Sequence, residues 1–334
     1  MTDRKKDHID LAFNSRTGSE EIDRRFYYEP LLAKHPAGDL KPFTFLGKVM
    51  RAPIWVSSMT GGTELAGKIN RNLAKVCNEF GLGMGLGSCR PILDNDEHFE
   101  DFNMRGIIGN ELPFYANLGI AQVESLVMKG DISPVDRLVE KLRADGLIIH
   151  INPLQEWLQP EGDRFIQPPL DTIKSFLEMA FYPVIVKEVG QGMGPQSLEA
   201  LLELELEAIE MAAFGGTNFA KLELLRSEDF KQQYYGPVSR IGHDAKDMAL
   251  MINDIINNNT RIKCRQIIIS GGVSSFLDGY YLMNLCKLPA IYGQASGFLK
   301  YARESYEDLR KFVEYQVEGL KLANAYFVIK DLER

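Results

Sequence analysis

The chain has 334 residues, a formal net charge of −8, and is 45% hydrophobic and 25% charged. That is globular composition, which excludes disordered, collagen-like and coiled-coil classes. The acidic balance also argues against a general nucleic-acid binder, because such proteins meet phosphates with basic faces.

The first forty or so residues are polar and weakly periodic, and MTDRKKDHID lacks the apolar core of a signal peptide. After Arg51 short apolar runs alternate with longer amphipathic ones. PIWVSSM (53–59) predicts a buried strand. The segment 64–80 predicts a helix, with Leu65, Ile69, Leu73, Val76 and Phe80 at steps of three and four. Strands are expected at 82–87, 114–119 and 147–152, with a helix around 134–143 between the last two. A long polar loop then runs through Gln167, followed by a helix over 170–180 and a strand over 183–190. A helix over 197–205, a weakly punctuated strand over 208–214, and strands over 266–272 and 290–296 close the series. LELELE (202–207) reads as one acidic helix face, and the tail from Tyr306 is helical.

Eight apolar strands alternating with helices predict a parallel sheet covered on both faces. Over about 280 residues the number suits a (β/α)8 TIM barrel formed by residues 51–334, with residues 1–50 as an N-terminal extension. A doubly wound open sheet is the rival. No apolar run reaches membrane length. Cys77, Cys89, Cys264 and Cys286 form no CxxC pair and no zinc spacing, so a reduced, cytoplasmic protein is expected.

Function in such a barrel sits where strands end. Small, hydroxylated or charged residues end almost every strand here: Ser58-Met59-Thr60, Ser88-Cys89-Arg90, Asn117, His150, Asn152, Lys187, Thr217, Gly271-Gly272 and Ala295-Ser296. SGGV and GQAS follow the seventh and eighth strands, where glycines let backbone N–H groups cradle a phosphate. Gly62-TELA-Gly67-Lys68 nearly matches a P-loop, but Ile69 stands where a magnesium-binding hydroxyl belongs.

Lys187, inside VIVKEV, fits a Schiff base, an anionic cofactor, or an ion pair with Glu188 or another carboxylate. His150 and Asn152 alternate, so both are expected to point into the barrel or its mouth, with a buried, satisfied histidine as the alternative to a functional one. The loop 153–163, with Gln155 and Glu156, is either a solvated acidic loop or a set of the hard oxygen ligands that suit Mg2+. Arg4, Lys5 and His8 form a cationic cluster, which is either a solvated tail or an anion-binding arm. Arg90 offers a two-pronged fork to phosphate. Cys89 invites a nucleophile reading, although no base for it is identifiable.

RKKDHI (4–9), SSMTGGT (57–63), GLGSCRP (85–91), ANLG (116–119), IHINPLQEWLQPEGD (149–163), VIVKEVG (184–190), GGTNFAKLE (215–223), SGGV (270–273) and GQAS (293–296) together resemble one family. It is that of the type 2, FMN-dependent isopentenyl diphosphate isomerases. The resemblance covers nearly the whole chain, and RKKDHI and IHINPLQEWLQPEGD are its specific pieces. It implies a barrel enzyme that interconverts isopentenyl and dimethylallyl diphosphates with bound FMN, Mg2+ and a reductant such as NADPH. It further implies a homo-oligomer, tetramer or octamer.

By the same resemblance Ser58, Met59, Thr60, Ser88, Asn117, Lys187, Thr217, Gly271, Gly272, Val273, Ala295 and Ser296 would hold FMN. Arg4, Lys5, Ser88, Arg90 and Gln155 would hold substrate, and Glu156 magnesium. His8, His150 and Asn152 match positions near the diphosphate or the reacting alkene. The chain departs from the pattern at Cys89, where a glutamine is usual, at Ala212, where many relatives have a serine, and in the loop 236–245.

Physically, moving the double bond adds a proton at one end and removes one at C2. The site should then be dry, and a reduced flavin offers a flat wall, a protonated nitrogen and an anionic ring. Gln155, a poor acid, would orient substrate or relay a proton. The enzyme rival is an FMN-dependent 2-hydroxy-acid oxidase, which needs an arginine and a late histidine base, and His243 is the last histidine here. A non-catalytic flavin- or phosphate-binding barrel is the rival of another class.

Overall fold

The structure is a computed structural model and describes residues 2–58 and 60–330. Met59 lies outside the described residues.

The extension is more structured than its polar composition suggests. A helix spans Thr2–Leu11, and three short strands follow: β1 (Phe26–Tyr28), β2 (Phe43–Phe45) and β3 (Lys48–Met50). β2 and β3 form an antiparallel hairpin turned by Leu46 and Gly47, both at positive φ (49° and 71°). The Leu46 amide is held by Gln266 Oε1 at 2.8 Å.

The barrel strands follow in chain order: β4 (Ile54–Val56), β5 (Gly83–Gly85), β6 (Phe114–Gly119), β7 (Gly146–His150), β8 (Val184–Lys187), β9 (Ala208–Glu210), β10 (Ile267–Ser270) and β11 (Ala290–Gln294). All pair in parallel, each with the next, and β11 closes on β4, so the eight expected strands form a closed barrel rather than an open sheet. A last strand, β12 (Phe327–Ile329), pairs antiparallel with β1 and ties the extension to the tail.

Alternation along each strand sorts the side chains. Trp55, Tyr115, Ile148, Ile185, Ala208, Ile268 and Ile291 fill the barrel interior together with Phe45, Leu46 and Met50 of the hairpin. The hairpin therefore stoppers the amino end of the barrel. The opposite set of strand residues, including Ile54, Val56, Ile149 and Val186, packs in the larger cluster with the helices. The helix Glu64–Phe80 matches its predicted span and starts on Thr63, whose side chain accepts the Ala66 amide.

Differences from the expected elements have local causes. A helix, Pro153–Leu158, forms inside the expected polar loop, with proline at its start. LELELE is not a helix face, because the helix Pro195–Leu202 ends at its first residue. β9 stops at Glu210 because Ala212 takes a left-handed φ of 41° and bends the chain out of the sheet. No long helix joins β5 to β6, where short helical turns suffice.

Candidate active site

The inner face of the strands changes character one step above the apolar layer. Asn117, His150, Lys187, Glu210 and Ser270 stand at or near the carboxyl ends of β6 to β10, each two residues beyond an apolar inner-layer residue. The register sets His150 beside Lys187 and Lys187 beside Glu210. Polar chemistry is thus gathered at one rim.

A cavity of about 370 Å³ opens there over β8 to β11 and β4. Of the residues proposed for FMN, Ser58, Lys187, Thr217, Gly271, Gly272, Val273, Ala295 and Ser296 line it. The wall carries buried polar atoms with no hydrogen-bond partner among the described residues: Ser57 Oγ, Ser58 Oγ and Gln294 Oε1. Such groups are costly unless a ligand or water satisfies them. The glycines are required by space: a Cβ on Gly271, whose φ is 88°, would lie 2.0 Å from the Ala213 carbonyl oxygen. A polar, phosphate-bearing group such as FMN fits this wall.

Thr60, Ser88 and Asn117 lie outside the cavity lining. Asn117 is buried and donates from Nδ2 to the Leu86 carbonyl at 2.9 Å, which leaves Oδ1 facing His150 Nδ1 at 2.9 Å. The histidine therefore donates from Nδ1. Burial, helped by the Lys187 charge, pushes the His150 pKa down to about 3, so the ring is neutral.

Lys187 does not pair with the Glu188 carboxylate. Its Nζ donates to the Glu188 main-chain oxygen at 2.8 Å, while the carboxylate accepts the Gly190, Gln191 and Gly192 amides. Burial nevertheless raises the Glu188 pKa, against those donors.

His150 and Asn152 both reach the rim but separate. Asn152 Nδ2 donates to Gln155 Oε1 at 3.1 Å and to Glu156 Oε1 at 2.9 Å. Its own Oδ1 is buried without a partner among the described residues. Glu156 is buried, and Oε2 also accepts from Gln159 (3.1 Å) and the Asp163 amide (2.7 Å). Gln155 Nε2 donates to Glu223 Oε1 at 3.3 Å, and Glu223 is in turn paired with Arg226. No cluster of three metal-ligating side chains is present among the described residues.

Arg90 is exposed and faces a neighbouring cavity of about 690 Å³, shared with Gln122, Asp163 and Arg164. Arg4, Lys5 and His8 lie exposed on the first helix, and no hydrogen bond or ion pair joins them to the rim among the described residues. Cys89 is fully buried, and burial pushes its thiol up to about 12, which removes it as a nucleophile. Gly67 of the near P-loop sits inside a helix against Asp101, so it serves packing.

Sequence reasoning missed Glu210 and Glu223. Glu210 was legible as the inward partner of Ala208 two residues earlier. Glu223 reads as an ordinary polar helix position, and its contact with Gln155 is long-range.

Fold and rim together define a (β/α)8 enzyme barrel with its polar groups at the carboxyl end of the strands. No family model matches the sequence. The isopentenyl-diphosphate delta-isomerase of Rickettsia peacockii (strain Rustic) is 33% identical over 342 residues, covering 99% of this chain and 96% of that protein. The enzyme of the same name from Rickettsia typhi is 31% identical over 340 residues, covering 99% and 96%. The chain belongs to the isopentenyl-diphosphate delta-isomerase family.

Among solved structures, a flavocytochrome b2 double mutant with sulfite bound superposes with a TM-score of 0.61 at 13% identity, covering 95% of this chain and 78% of that one. A mandelate oxidase mutant with a monooxide FMN adduct gives 0.56 at 12% identity, covering 95% and 90%. At this identity the likeness concerns the fold.

Proposed function

We infer that the protein interconverts isopentenyl and dimethylallyl diphosphates by a 1,3-allylic proton shift. It does so with FMN in the glycine-lined cavity, Mg2+ on the diphosphate and a reductant such as NADPH. The observation that carries this reading is the convergence on one rim cavity of Ser58, Lys187, Thr217, the 271–273 loop and Ala295-Ser296, with orphaned buried hydroxyl and amide oxygens between them.

Reduced FMN, when bound, supplies an acid/base group and a flat wall beside the alkene. Lys187 favours an anionic ring there by Coulomb attraction. His150, neutral and fixed by Asn117, presents Nε2 as an acceptor. Gln155 is held at both ends of its amide, by Asn152 and Glu223, so it orients substrate or relays a proton in one sense only. Glu156 retains free acceptor capacity beyond its three hydrogen bonds. A lone carboxylate suits Mg2+ completed by diphosphate and water oxygens, not a cage built from protein alone. Ser88, Arg90 and the arm residues Arg4, Lys5 and His8 bind the diphosphate, whose binding energy is remote from the reacting carbons.

Thr60 and Asn117 complete the FMN contacts in this reading, and a tetramer or octamer is its assembly. No helix among the described residues is long and apolar enough to cross a membrane. The 2-hydroxy-acid oxidase reading is disfavoured by His243, which lines a separate cavity with Met193 and Ile241 rather than the one containing Lys187. The test is to load the purified protein with FMN, reduce it with dithionite and supply isopentenyl diphosphate with Mg2+. Formation of the dimethylallyl isomer is expected, and a flavin-loaded, reduced protein that leaves the substrate unchanged overturns the reading.

A further inference from the structure

Glu210 has no part in the chemistry above, yet its carboxylate is completely buried at the wall of the flavin-sized cavity. Trp55 Nε1 donates to Oε2 at 3.2 Å, and Ser270 Oγ lies 3.1 Å from Oε1. An indole N–H can only donate, so Oε2 accepts. The Ser270 oxygen also accepts the Ala212 amide at 3.0 Å while its hydroxyl donates to Oε1. Both carboxylate oxygens are therefore acceptors, the pattern of the ionised form.

An ionised carboxylate buried against neutral donors is costly unless a cation offsets it. The adjoining strand supplies one, since Lys187 is the register partner of Glu210 and lines the same cavity. Lys187 itself donates to a main-chain oxygen, and no carboxylate lies within 4.0 Å of Nζ among the described residues. Anion and cation thus sit side by side beneath the cavity without touching. A ligand resting above them meets their combined field.

We propose that Glu210 is a positioning residue of the flavin site. Acting through Lys187, it offsets the lysine's charge and so limits how strongly the site prefers reduced, anionic flavin over oxidised, neutral flavin. The proposal rests on the reading that FMN occupies this cavity. Without Glu210 the lysine charge stands uncompensated, and the preference for the reduced anion rises. A merely structural role, holding Ser270 and the left-handed Ala212, would weaken both flavin forms alike.

The experiment measures dissociation constants of oxidised and of dithionite-reduced FMN, anaerobically, by flavin fluorescence and absorbance. Glu210→Gln is expected to raise the oxidised-to-reduced ratio of dissociation constants at least tenfold over the unmodified protein. Lys187→Met lowers it by a similar factor, and Ser270→Ala leaves it within threefold. Glu210→Asp, which keeps the charge, must also stay within threefold, and this holds the proposal to account even if the glutamine variant does not fold. Equal weakening of both forms in Glu210→Gln, a falling ratio, or a tenfold change in Glu210→Asp overturns the proposal while leaving flavin binding intact. An unmodified protein that binds neither flavin form overturns this proposal and the functional reading together.

Discussion

The Arg90 guanidinium donates to the Asp163 carboxylate at 3.1 Å, and Gln122 Nε2 donates to the same oxygen at 3.0 Å. The Asp163 amide in turn donates to Glu156, so the proposed phosphate fork and the proposed magnesium ligand meet through one residue. Asp163 holds the place of an anion at Arg90. An exposed pair of this kind contributes at most about 1 kcal/mol, so a diphosphate can displace it. Arg90→Ala should raise KM for isopentenyl diphosphate about tenfold or more with a smaller change in kcat. Asp163→Asn, which removes the competing charge, should lower KM severalfold. Steady-state kinetics with the two variants checks both signs.

Acid lability follows from His150. Its ring is neutral in the folded protein down to about pH 3, whereas in the unfolded chain it gains a proton near the ordinary value of 6.5. Between those limits the unfolded state binds more protons, so stability is fully present above about 6.5 and falls as pH drops toward 3. The slope from this one group is at most about 1.4 kcal/mol per pH unit. Thermal melting across that window should show the loss, and His150→Gln should flatten it by about one proton's worth.

The phosphate cradle depends on backbone space at Gly271. Because its added Cβ would strike the Ala213 carbonyl and φ is 88°, Gly271→Ala must shift the loop. A loss of about 2 kcal/mol or more in stability is expected. FMN affinity should fall at least a hundredfold, read by flavin fluorescence. Unchanged affinity would remove this loop from the flavin site.

Deleting residues 1–8 should raise KM for the diphosphate substrate sharply and leave the melting temperature nearly unchanged. The first helix is exposed along its described length, so its removal sacrifices little packing. An unchanged KM would show that Arg4, Lys5 and His8 form only a solvated tail.

Periodicity carried the barrel well, because its strands are buried on both faces and read as short apolar runs between amphipathic helices. Lys187 and the 271–273 loop were legible for the opposite reason, as chemistry placed where an apolar strand ends. The hairpin Phe43–Met50 was not legible, since its few residues find their partners in Tyr115, Ile148 and Ile268, far away in sequence. The helix at Pro153–Leu158 was hidden by its polar composition. The break at Ala212 was hidden because nothing in an alanine announces a positive φ. Glu223 and Asp163 acquire their meaning from Gln155 and Arg90, which lie 68 and 73 residues away.

The central claim is that reduced flavin at this rim moves a proton across a diphosphate-anchored alkene. Its most direct test is anaerobic proton NMR of isopentenyl diphosphate in deuterated water with the holoenzyme, omitting FMN, reductant and Mg2+ in turn. Dimethylallyl diphosphate carrying solvent deuterium should appear with all three present and fail to appear without FMN or without reductant. Conversion at full rate with no flavin, or with flavin held oxidised, would contradict the account.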